Sequence, residues 1–130
     1  MNLTKFSVYA ILHVDKLKAF YESGGTGGST EETKWTQGSR IFHDAQKVGQ
    51  RVPIIFADAA TTANLVYYAF LTNVEVTPDD KTHYRFEGLT PIIREFPKSE
   101  LVKKSNNEPL SDDYQRSYSI VYTPDFMHNS

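Results

Sequence analysis

The residues most able to do chemistry in this chain gather in one polar stretch, Lys34-Trp35-Thr36-Gln37-Gly38-Ser39-Arg40. Trp35 is the only tryptophan in 130 residues, and it stands among polar neighbours instead of inside an apolar run. A flat indole in that setting offers a stacking surface for a nucleobase, an interaction worth about 1–3 kcal/mol. Arg40, with Lys34, Ser39 and Lys47 near it in sequence, has the chemistry to meet a phosphate or a base edge, because a guanidinium presents two parallel N–H donors. The plainer alternative is structural: Trp35 covers the core where a helix meets a sheet, and the charges sit in water on that helix.

Other candidates are scattered. His13, His43, His83 and His128 show no H-x-x-x-H or H-E-x-x-H spacing, so no metal site is expected, and the absence of cysteine removes thiolate ligands and disulfides together. His43, Asp44, Asp58 and His83 remain as possible acids or bases. No G-x-S-x-G run accompanies them, and Thr61-Thr62 read as turn residues, so no catalytic signature compels an enzymatic reading. Tyr67, Tyr68, Tyr118 and Tyr122 alternate along two strand-like runs. Most of these rings suit core packing, yet Tyr67 and Tyr68 must face opposite sides of their strand, which leaves one of them, Tyr67, as a pocket candidate. Arg85 and Arg116 occupy outward strand positions that extend a basic track, with Asp112-Asp113 adjoining the second.

The glycine-rich run S-G-G-T-G-G-S-T-E-E-T over 23–33 lacks the G-x-x-x-x-G-K-[ST] pattern of a phosphate cradle and ends in Glu31-Glu32, which repel an anion. With almost nothing to bury, it reads as a mobile loop.

The totals bound the answer. A chain of 130 residues makes a single domain, 1–130, with a core large enough to need no staples. The formal net charge of −2 gives no global attraction to nucleic acid, so such binding has to come from a local patch. Eight Tyr and eight Phe, many of them alternating, favour an aromatic-rich β structure. The first residues are too polar and too short in apolar run for a signal or membrane segment; with no cysteine, this suits a soluble protein of the reducing cytoplasm.

These residues need elements to hold them. The most apolar stretch, Val52 to Val76, carries Ile54-Ile55-Phe56 and Leu65 to Leu71 on either side of a Thr-rich turn, and both halves read as strands. Before it, period-2 alternation predicts a strand over residues 5–14, and Asp15 caps a short helix through Leu17, Phe20 and Tyr21 that stops at Gly24. Ser39 caps a second helix from about Arg40 to Val48, closed by Gly49. After it come the P-D-D-K turn, a strand T-H-Y-R-F-E, an extended segment in which Pro91 marks an edge or a bulge, and a helical turn at 97–102. A further helical turn over 111–115, a closing strand over 116–123 and a loose tail complete the chain. The expected class is α+β: a small β-barrel of five to six mostly antiparallel strands with two to three short peripheral helices.

That element order resembles the PUA-like superfamily, particularly its EVE and ASCH branches. The resemblance is carried by Trp35 and Arg40, the helix after them, the turn Lys47-Val48-Gly49-Gln50 and the strand that follows; EVE-like domains read K-V-G-D at that turn, and the G-x-K-x-x-E-x-R run of ASCH domains is absent. It implies a pocket between barrel and helices that holds a nucleobase, often a modified one, in RNA or DNA; no cofactor and no membrane partner are expected. The expectation is therefore a nucleic-acid-binding module using Trp35, Arg40, Lys34, Ser39, Tyr67 and Arg85. Two alternatives stand beside it: a small-molecule hydrolase acting on a nucleoside-like or amide substrate through His43, Asp58 or His83, and a protein-interaction or self-association domain using the edge near Pro91 and the aromatic strands. The oligomeric state is not legible.

Overall fold

The computed structural model of the chain describes residues 2–59, 64–111, 114 and 116–128. The turn read at Thr61-Thr62, the pair Asp112-Asp113 and part of the helical turn expected over 111–115 lie outside the described residues. Among the described residues the order is β1 (Phe6–Leu12), α1 (Val14–Glu22), β2 (Gly27–Glu31), α2 (Thr36–Lys47), β3 (Pro53–Asp58), β4 (Leu65–Val76), β5 (Thr82–Pro91), a single 3-10 turn at Lys98–Glu100, β6 (Tyr118–Tyr122) and α3 (Asp125–His128).

The six strands form one mixed sheet in the order β2-β5-β4-β3-β1-β6. Only the β1–β3 pair is parallel; the other pairings are antiparallel. The fold is thus α+β, as expected, but the barrel is not closed: among the strands β2 pairs only with β5 and β6 only with β1, the other side of β6 is bridged by Lys103 at Val121, and no ladder among the described residues joins the two ends. The apolar runs lie where their composition puts them. β3 is buried along its whole length and β1 nearly so, in the middle of the sheet with both faces covered, which is why neither alternates cleanly.

Two cores sit on the two faces. Val8, Ala10, Ile54, Phe56, Ala69 and Leu71 point toward α1 and α2 and meet Leu17, Phe42 and Ala45 there. Tyr9, Ile55, Ala57, Leu65 and Val121 point the other way, under Phe96, Leu101 and Leu110 from the irregular segment after β5. The strand periodicity of two therefore fills two layers at once.

Several boundaries differ from the sequence reading, each for a tertiary reason. The stretch read as a mobile loop is strand β2, registered from Gly27 opposite Phe86 to Glu31 opposite Thr82. Its glycines serve close approach: a Cβ on Gly27 would sit 2.7 Å from the Phe20 ring. Helix α1 starts at Val14, not after an Asp15 cap, because the Asp58 carboxylate at the end of β3 accepts the Val14 N–H at 3.2 Å. Helix α2 starts four residues before the expected Arg40, at Thr36. The tail beyond β6 is not loose throughout; it forms α3, whose Met127 is buried. Pro91 ends β5 beyond the reach of β2, where β5 has one strand neighbour, and the ladder to β4 shifts register beside Gly88, whose φ is +68°. No helix among the described residues is long and apolar enough to cross a membrane.

The end of β2 carries a pH-sensitive group. Burial, with the neighbouring Glu32 carboxylate alongside, pushes the Glu31 carboxyl up to about 7 from 4.5, against partial relief from Lys16. A folded-state value raised in an acid means that the native state holds the proton more tightly than the unfolded chain. Stability contributed at this position is therefore intact below pH 4.5 and falls as pH rises toward 7 and beyond. Glu31→Gln is expected to raise unfolding stability at pH 8 by about 1–2 kcal/mol, discounted for partial exposure, and to leave it nearly unchanged at pH 4. Urea titrations at the two pH values check this; an equal effect at both would remove the ionisation from the account.

Candidate functional site

Trp35 is fully buried. Its peptide N–H donates to the Thr82 hydroxyl at 2.9 Å, and that hydroxyl donates to the Thr33 carbonyl at 2.8 Å, so a fully buried threonine on β5 ties residues 33–35 to the sheet. The indole lies between two phenol rings: Tyr84 on β5, centroids 4.8 Å apart and planes 15° off parallel, and Tyr118 on β6, at 4.7 Å and 12°. Strands β5 and β6 stand near opposite ends of the sheet order. Their shared grip on one indole requires the sheet to curl strongly, with Trp35 filling the gap that a closing ladder would otherwise occupy.

Tyr118 has a second role. Its hydroxyl accepts the N–H of Gly38, at 2.9 Å, in the first turn of α2. Trp35, the residue before that helix, has no side-chain oxygen with which to cap it, so the free amide finds its acceptor on a strand 80 residues away. This explains the early start of α2. Gly38 has little room to be anything else, since a Cβ there would stand 3.2 Å from the same hydroxyl.

On the solvent side of Tyr118 lies a cavity of about 470 Å³. Its wall carries three cationic side chains, Lys34, Lys103 and Arg116, two tyrosines, Tyr114 and Tyr118, and the polar residues Thr36, Gln37, Ser105 and Ser119. No acidic side chain lines it among the described residues. Lys34 makes a 3.6 Å ion pair with Asp80, but both groups are more than half exposed, so the pair holds the lysine only weakly. Lys103 places its Nζ 5.7 Å from the centre of the Tyr114 ring. A smaller cavity of about 260 Å³, lined by Thr33, Arg116, Ser117 and Tyr118, adjoins the first.

The residues singled out from sequence fall in different places. Lys34 lines the large cavity. Trp35 stands behind it as a packed core residue, both faces covered by tyrosines, so a base does not stack on the indole in this structure. Ser39 and the exposed Arg40 follow on α2 and do not line the cavity. Tyr67 is buried in the core beneath Tyr21, centroids 6.2 Å apart. Arg85 points outward on β5 and borders a separate cavity of about 310 Å³ together with His83, Thr30, Gly28 and Asn73. The possible acids and bases do not converge: Asp58 holds the start of α1, His83 bonds Thr30 Oγ1 at 2.7 Å, and His43 is exposed on α2. Among the described residues no three His, Asp or Glu side chains are grouped so as to hold a metal ion.

Sequence reading missed Lys103 and Tyr114 and ranked Tyr118 as core. Residues 34, 103, 114, 116 and 118 lie on three separate stretches, and nothing local links them. The signal that was available is the spacing Arg116-Ser117-Tyr118, which puts a cation and an aromatic ring on one side of a strand entry.

Comparison with known proteins adds little to this geometry. No family model matches the chain, and no curated protein matches it. Among solved structures it is similar to a Lon N-terminal domain protein from Xanthomonas campestris, at 16% identity and a TM-score of 0.40, over 85% of this chain and 64% of that one.

Proposed function

We propose that the chain is a nucleic-acid-binding module of PUA-like type, working without a cofactor, that takes a single strand at the cavity between the start of α2 and β6. The observation that carries this reading is the composition of that cavity: three cations and two tyrosines around about 470 Å³, with no carboxylate on the described wall. A net charge of −2 gives no general attraction for a polyanion, so this local concentration of positive charge is what would select one. Phosphates would meet Lys34, Lys103 and Arg116, while the exposed parts of Tyr114 and Tyr118 would receive a base. The resemblance to PUA-like domains leads to the same class of ligand, with Tyr118 taking the stacking role that the sequence suggested for Trp35. A protein lacking cysteine suits the reducing cytoplasm in which such ligands are met.

The test is fluorescence anisotropy with labelled hexauridylate and hexathymidylate. Lys34→Ala/Lys103→Ala/Arg116→Ala is expected to weaken binding at least tenfold at low salt. Neutralising three phosphates on a single strand gives a slope of log K against log salt near −2 for the wild type, from about −0.7 per phosphate, and the triple variant flattens it toward zero. Equal binding by wild type and variant, or no binding by the wild type, would end this reading.

A further inference from the structure

Arg116 and Tyr118 belong to both adjoining cavities, the large one with Lys34 and Lys103 and the small one with Thr33 and Ser117. Side chains that line both spaces lie where the two meet. We infer that Arg116 and Tyr118 form a ridge splitting one groove into two adjoining nucleotide subsites, so that the ligand is a single strand spanning both, with the phosphate that links the two nucleotides seated at Arg116. This rests on the nucleic-acid reading above and narrows it to a ligand class.

The chemistry on each side supports the division. The large cavity has two lysines of its own in addition to the shared arginine, while the small one has no other cation among its described lining residues. A phosphate that must serve both spaces therefore has one partner available from either side, and a guanidinium fork can grip it through two oxygens, as a lysine cannot. Tyr118 cannot swing aside to merge the two spaces: its ring is stacked on Trp35 at 4.7 Å and its hydroxyl is engaged by the Gly38 N–H at 2.9 Å. With one face of the ring taken by Trp35, a base in each space meets this fixed side chain only at its free face or edge, and the side chain keeps the two bases apart. That arrangement is open to an unpaired strand and closed to a duplex, whose bases remain stacked on their neighbours and hydrogen-bonded to their partners. A mononucleotide would fill one subsite and leave the other empty.

Equilibrium binding of labelled uridine monophosphate, the dinucleotide UpU, hexauridylate, hexathymidylate and a twelve-base-pair duplex tests this in the wild-type protein, with hexaglutamate as an acidic peptide control. Quenching of Trp35, the only tryptophan and in contact with the ridge, gives a label-free second signal. The expected result is a gain of at least tenfold from mononucleotide to dinucleotide, with the duplex binding at least tenfold more weakly than hexauridylate. Ser117→Trp, which fills the small cavity, brings UpU down to the level of the monophosphate, and Arg116→Lys loses most of the dinucleotide gain while keeping the charge. Circular dichroism verifies that each variant is folded. Should oligonucleotides bind with no gain from one nucleotide to two, or the duplex bind as tightly as the single strand, the two-subsite arrangement falls and the nucleic-acid reading stands. If no nucleic acid binds, or hexaglutamate binds as tightly as hexauridylate, both fall.

Discussion

Trp35→Ala is expected to destabilise the fold by about 3–5 kcal/mol, the range for removing a large aromatic side chain from a packed core. The indole has no exposed surface and contacts a tyrosine ring on each face. Removing it leaves Tyr84 and Tyr118 with a void between them and leaves β5 and β6 without their common partner. Since total stability for a domain is about 5–15 kcal/mol, the loss is a large fraction of it. Trp35→Phe keeps a ring in the slot and deletes the indole N–H, which has no hydrogen-bond partner in the structure, so its cost is expected to be about 1–2 kcal/mol. Urea unfolding followed by far-ultraviolet circular dichroism measures both. The binding readout separates packing from contact: at a temperature where both variants are folded, Trp35→Phe binds hexauridylate nearly as well as wild type, because Tyr118 is still supported from behind. A Trp35→Ala protein of near-wild-type stability that had lost only its ligand would reverse the assignment and make the indole the contact.

Much of the fold was legible in the sequence because it rests on local pattern. The apolar runs at Pro53–Asp58 and Leu65–Val76 appear as strands, with the second spanning the residues expected of it. The hairpin through Asp79 and Asp80, the strand after it and the strand before the tail also appear close to their expected positions. What escaped was fixed by distant partners. The start of α2 depends on a tyrosine hydroxyl 80 residues away and the start of α1 on a carboxylate 44 residues away. The open sheet, in place of the expected closed barrel, depends on a tryptophan filling the gap. Trp35 was noticed for the right reason, as an isolated aromatic among polar residues, yet polarity along the chain says nothing about what packs over it. The polar neighbours Lys34, Thr36 and Gln37 do face solvent, and only the indole turns inward. The cavity itself was out of reach, since Lys103 and Tyr114 come from a segment whose sequence reads as loop and a short helical turn, with no pattern that places it against β6.

Gly28→Ala is expected to detach β2 from the sheet, at a cost of about 2–4 kcal/mol or more, although composition alone would class the position as the middle of a flexible linker. The backbone there adopts no left-handed conformation, so the requirement for glycine is one of space. A Cβ on Gly28 would collide with the carbonyl oxygen of Tyr84 and press on the Arg85 side chain at 3.2 Å. The carbonyl belongs to the strand to which β2 is bonded and cannot withdraw without breaking that ladder. Relief must come from β2 moving away, and its motion has consequences at the site. The same strand leads through Glu31 to Thr33, whose carbonyl accepts the hydroxyl of Thr82, and to Trp35, whose N–H donates to it. Loss of β2 therefore loosens the indole sandwich that fixes Tyr118. Ser29→Ala, next in sequence and only partly buried, serves as the control and is expected to stay within about 0.5 kcal/mol of wild type. Amide hydrogen exchange locates the effect: in Gly28→Ala, protection falls along 27–31 and at residues 82–86 facing them, while the amides of β1 and β3 keep theirs. Wild-type protection along 27–31 in the alanine variant would mean that the strand absorbs a methyl group at its closest approach, and the tight packing argued for β2 would have to be abandoned.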